Sequence, residues 1–110
     1  MLSSGALRAH LLAARLAGTV ATSREASLRS YRLFAARDPR VTIGLDPEWT
    51  WEQPDLIALM ADKCGVSPDP QHTSGPDVID PERTLAALEA FAARLAEAAR
   101  NRSPVLLGTG

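Results

Sequence analysis

The residues best suited to chemistry are the last three, Gly108-Thr109-Gly110, directly behind the apolar run Val105-Leu106-Leu107. Two glycines one residue apart let backbone amides approach an anion closely, and the threonine hydroxyl adds a donor. A loop between a strand and a helix N-terminus is the usual seat of such a phosphate site. The pattern completes neither G-x-G-x-x-G nor the Walker sequence. A flexible tail is therefore the competing reading, and both stand at this point.

Other constellations are weaker. There is no G-x-S-x-G, no C-x-x-C, no paired-histidine metal motif and no glycine-rich nucleotide fingerprint. Cys64 and His72 make two ligands without a second pair, which is no zinc site, and Cys64 reads as a small buried hydrophobe. Arg29, Arg32 and Arg37 have the guanidinium forks that suit phosphate, yet their placement reads as a solvated helix face. Trp49 and Trp51 offer a recognition surface, set against a plainer reading in which one packs inward and the other caps the core. The sequence assigns no catalytic residue, no metal site and no cofactor.

Four helices must position these groups. The first runs from a Ser3 or Ser4 cap to about Ala17, with Gly18 as its stop. Its leucines (Leu7, Leu11, Leu12, Leu16) and alanines spread so widely that burial on most of its circumference is expected, with His10 in a core or boundary position. Thr22 to Glu25 reads as a capping box opening a second helix to about Arg37, with Leu28, Tyr31, Phe34 and Ala35 inward and Asp38-Pro39 ending it. Val41 to Leu45 alternates weakly, like an edge strand. A helical turn is expected from Asp46. Pro54 begins a third helix with Leu56, Ile57, Leu59, Met60 and Cys64 on its apolar side, and Gly65 stops it. Ser67 to Pro76 is a surface loop.

The fourth helix has the clearest punctuation. Asp80 is an N-cap, Pro81 suits the first helical position, and Glu82 favours the positive end of the helix dipole. Leu85, Leu88, Phe91, Ala92 and Leu95 form one apolar face. Pro104 ends it, and Val105 to Leu107, without polar alternation, reads as a strand covered on both faces.

At 110 residues the chain is one domain at most. Hydrophobic residues make up 45% but aromatics only 5%, which favours helices over a sandwich or barrel. The net charge of −1 conceals a basic front (seven arginines and two acids in residues 1–45) and an acidic middle (nine acids and one lysine in residues 46–82). These halves are expected to attract each other. Without a lysine run, zinc pattern or interleaved aromatics, nucleic acid is a disfavoured partner. No run has the length of a membrane span, and one cysteine fits a reducing, cytoplasmic setting. The acid-free, arginine-bearing start also looks like a transit peptide, although an ordinary bacterial helix with Ala/Arg bias explains it more simply. The first helix, with no covering partner of its own size in sequence, is a candidate homo-oligomer interface.

Segments Ser27 to Phe34, Asp46 to Trp51 and Pro104 to Gly110 resemble the N-terminal portion of proteins assigned as phosphatases in high-GC, actinobacterial-type bacteria. The resemblance covers the whole chain, and those proteins are longer. It implies that the turn leads into further αβ units, that Gly108, Thr109 and Gly110 begin a phosphate-handling loop, and that the complete protein hydrolyses a phosphate ester of a small molecule. It also implies that the 110-residue form is inactive by itself. The expectation is a mostly α segment, residues 1–110, of four helices and a C-terminal strand, belonging to the N-terminal part of an α/β domain. The alternative is a small non-catalytic helical interaction module.

Overall fold

A computed structural model of the chain describes residues 3–109. Among them are five helices and two strands, so the mostly α architecture holds. Helix α1 (Ser4–Ala13) begins at Ser3, whose side chain accepts from the Ala6 amide at 3.1 Å. It is one turn shorter than the sequence predicts: the chain turns at Arg15 (φ 58°) and enters strand β1 (Gly18–Ser23) through Gly18 (φ 70°). Helix α2 (Arg24–Ala35) follows without a linker, capped by Ser23 rather than Thr22. Leu28 is buried and Tyr31, Phe34 and Ala35 half-buried, the inward face expected of it.

Asp38-Pro39 both ends α2 and starts a short helix, α3 (Pro39–Thr42). The Asp38 carboxylate accepts from the Arg40 amide at 2.9 Å and from its guanidinium at 2.7 and 3.0 Å. That local capping overrides the weak alternation of Val41 to Leu45, so no edge strand forms. Residues 46–52 are irregular where a helical turn was expected. Helix α4 (Gln53–Cys64) is opened by Asp55, which accepts from the Glu52 amide at 2.9 Å, and closed by left-handed Gly65. A Cβ on Gly65 would lie 2.5 Å from the Asp80 Cβ, so both φ (74°) and space demand glycine here.

Strand β2 (Pro76–Ile79) lies inside what reads as loop and helix approach, and it pairs antiparallel with β1, Gly18 opposite Ile79 and Thr19 opposite Val78. Helix α5 (Pro81–Arg100) starts with Asp80 accepting from Glu82 and a proline in its first turn, as expected. A two-stranded ribbon is marginal alone; here α1 and α2 pack against it, and α5 packs on α1 and α4. Leu11, Ala17 and Leu85 form one buried cluster with Leu7 against it, and Val20, Leu28, Leu56, Ile57 and Val66 are buried besides.

Two burial expectations change. Helix α1 buries a narrow stripe rather than most of its surface: Leu11 is covered, but His10 and Leu12 are exposed, as is Leu16 in the turn beyond it. Residues 103–109 have no regular secondary structure, and Leu106 and Leu107 are 96% and 81% exposed. A strand is held by hydrogen bonds to a neighbour, and the described residues place none beside Val105–Leu107. The charge halves do meet. Arg8 binds Glu82 at 2.6 Å, Arg37 binds Asp46 at 2.6 Å, and Arg24 lies 3.8 Å from Asp77.

Candidate functional site

The glycine turn sits at the end of an exposed tail. Ser103 donates its amide to the Ala98 carbonyl at 2.9 Å, which ties the chain to the last turn of α5. Beyond Pro104 it runs outward. Gly108 and Thr109 are exposed, and a Cβ added to Gly108 would meet nothing within 4 Å. Gly110 lies outside the described residues. A shallow cleft of about 320 Å³ opens beneath the start of the tail, lined by Arg94, Glu97, Asn101 and Ser103, and it does not include the turn. Gly108 and Thr109 are thus accessible to an anion, while the convergent donors of a finished phosphate cradle are not assembled within residues 3–109.

The most constrained polar group lies elsewhere, at Arg24. Its side chain is wholly buried. Nε donates to the His72 carbonyl at 2.9 Å, and Nη2 donates to the carbonyls of Ser67 at 2.9 Å and Asp69 at 3.2 Å. Its backbone amide donates to Gly75 at 2.7 Å. One guanidinium thereby satisfies three backbone acceptors of a loop that has no ladder of its own. Glu25 completes the attachment by accepting from the Gly75 amide at 3.3 Å. Hydrogen bonds from backbone amides and from Ser23 hold the exposed Glu25 carboxyl below its ordinary range.

Arg24 Nη1 makes no hydrogen bond and sits 3.8 Å from Asp77 Oδ1, an ion pair at electrostatic rather than hydrogen-bonding range. Asp77 is itself buried and accepts from the Val78 amide at 3.0 Å. It borders a cleft of about 340 Å³ together with Arg15, Ser27, Tyr31, Met60 and Val66. Burial first, then the Asp77 charge, pushes the Tyr31 hydroxyl above its ordinary pKa. Arg15 is spent on the Val20 carbonyl at 3.1 Å. The cleft is a largely apolar pocket with a buried charge pair behind it; no nucleophile in it has a base aimed at it. Nothing in the local sequence marks Arg24 for burial, because an arginine just after a helix cap ordinarily faces water.

The tryptophans lie on the irregular stretch after α3. Trp49 is 67% exposed and meets half-buried Trp51 edge-on, ring centroids 6.3 Å apart at 72°. Arg37, at φ 57°, pins this stretch by donating to Asp46 and to the carbonyls of Pro47 and Trp49. Trp51 is half-buried, as the plainer expectation asks of one ring, but Trp49 faces outward and does not cap the core. Cys64 is a half-buried free thiol at the end of α4. Among the described residues no three His, Cys, Asp or Glu side chains converge on a cation position. Nor is any helix among them long and apolar enough to cross a membrane.

A family described as Phosphatase matches residues 2–110, and the chain belongs to that family. The protein called Phosphatase SCO2771 of Streptomyces coelicolor is 46% identical over 110 residues, a match that covers 98% of this chain and 42% of the relative. The chain thus spans less than half the length of that curated relative. No solved structure matches it.

Proposed function

We propose that this chain is the N-terminal portion of a cytoplasmic α/β phosphatase whose complete form hydrolyses a phosphate ester of a small molecule. The observation that carries the reading is the family match, which runs across residues 2–110. In the complete protein Val105–Leu107 gains a partner strand and Gly108-Thr109-Gly110 becomes the loop between that strand and the next helix. Its amides and the Thr109 hydroxyl then hold the non-bridging phosphate oxygens while water attacks phosphorus and the ester oxygen leaves with a proton. The open surroundings of Gly108 support this role, since no side chain blocks the approach.

The test is phosphate release from a panel of phosphomonoesters by the complete protein. Thr109→Ala and Gly110→Val are expected to lower kcat/KM by roughly 10- to 100-fold, the scale of losing oriented donors. A complete protein inert on the panel rejects the hydrolysis, and unchanged activity in both variants rejects the loop.

A second reading, self-association through α1 and the turn that follows it, is favoured by Leu12 and Leu16, which are 36% and 58% exposed. It predicts a dimer in light scattering that Leu16→Glu dissociates. A monomer indifferent to that change removes it.

A further inference from the structure

Helix α5 is the longest element and the least covered. Its 20 residues span about 30 Å, while the 10 residues of α1 that lie against it span about 15 Å. Leu85, under α1, is 7% exposed. Further along the same stripe Leu88, Leu95 and Phe91 are 39%, 45% and 63% exposed. A groove of about 310 Å³ between the two helices, lined by Leu7, Leu85, Leu88 and Ala92, opens onto that stripe. Beyond it the tail adds Val105, Leu106 and Leu107, also bare.

The molecule as a whole carries the same signature. Its radius of gyration is 16.3 Å, against about 13 Å for a self-contained domain of this length. Its accessible surface is 8180 Å², against about 5,900 Å² for a compact protein of this mass. The excess, roughly 2,300 Å² on this chain, is well above the ~800 Å² that one partner buries in a standard interface. Glu89, Arg94 and Glu97 along α5 mix both signs, so the stripe selects its cover by apolar shape rather than by charge.

We propose that this face, Leu88, Phe91 and Leu95 with Val105–Leu107, is the seat on which the segment of the complete protein following Gly110 packs. The occupant is chosen by length: more than half of the Streptomyces relative lies outside the match, and the bare tail leads the chain away from the C-terminal end of α5. The proposal rests on the reading that the chain is the front of a longer protein, and not on the phosphate chemistry.

The test uses the complete native protein with every native cysteine, Cys64 included, replaced by alanine as background. Phe91→Cys, on the stripe, and Ala90→Cys, about 100° round α5 from it and off the stripe, are labelled with a water-soluble maleimide. The thiol at position 91 is expected to react at least about tenfold more slowly than the one at 90, at low and high protein concentration alike. Equal rates overturn the proposal, and so does protection that grows with concentration, since a second copy would then be the cover. A native product of 11.7 kDa overturns it too. Should Phe91→Cys not fold, amide exchange in the unsubstituted protein decides. Residues 91–100 exchanging as slowly as α4 support the seat, and exchange at the rate of a frayed helix removes it. A protected thiol in a protein inert on phosphomonoesters keeps the seat and rejects the hydrolysis; the reverse pair of results does the opposite.

Discussion

The Arg24 region and the far end of α5 are built from equally ordinary sequence, and they have opposite fates. Around Arg24 a loop without secondary structure is fixed, because one buried guanidinium satisfies three of its carbonyls and its backbone amide a fourth. Along α5 a well-capped helix with a regular apolar stripe stands largely bare from residue 86 onward. Regularity is a local property. Order in the tertiary sense belongs to whichever segment finds partners, and here the irregular loop finds them and the second half of the regular helix does not.

The contrast can be broken hardest at Arg24. Arg24→Met leaves Asp77 buried without a counter-charge and three carbonyls without donors, and should cost about 3–5 kcal/mol in denaturant unfolding. Asp77→Asn should cost less, about 1–2 kcal/mol, because the 3.8 Å gap makes the carbonyls the guanidinium's principal partners. Equal losses would show that charge and not the carbonyl clasp dominates.

Within α5 the contrast sharpens along a single stripe. Leu85→Ala should destabilise residues 1–110 by about 3 kcal/mol through lost burial and the cavity left behind. Leu95→Ala in the same chain should fall within about 0.5 kcal/mol of neutral. Comparable losses would mean that the outer stripe is already covered.

The smallest effect concerns the exposed surface. Hydrogen bonds from the Arg40 guanidinium and amide lower the Asp38 carboxyl from 3.8 to about 2. A depressed carboxylate contributes stability above its unfolded value, and that contribution fades as pH falls from 3.8 toward 2. Carboxyl NMR should place the Asp38 transition near pH 2 and move it upward in Arg40→Gln. A transition at 3.8 in both proteins would mean that the pairing is absent in solution.

Legibility in the sequence followed the range of the interactions. Asp80-Pro81, Gly65 and Pro104 act on their own neighbours, and each boundary falls where its chemistry puts it. The ribbon escaped notice because Gly18–Ser23 and Pro76–Ile79 are short, and each is a strand through a partner about 60 residues away. Val41 to Leu45 shows the reverse, a strand-like pattern overruled by the Asp38 cap one turn earlier. Burial of Arg24 depends on carbonyls from residues 67–75, which no local pattern announces. The glycine turn was visible, but its surroundings are not formed by residues 3–109.

The β1–β2 register has a consequence for how the chain is made. Gly18 leaves the ribosome about 60 residues before Ile79, so at about 5–20 residues per second the first strand waits about 3–12 s for its partner. During that interval α2 and α4 can form and pack, but the loop acceptors that bury Arg24 do not yet exist. The nascent amino-terminal half therefore carries an unpaired strand edge and a solvated arginine together. Both are resolved at once when residues 67–79 emerge, a late and concerted closure.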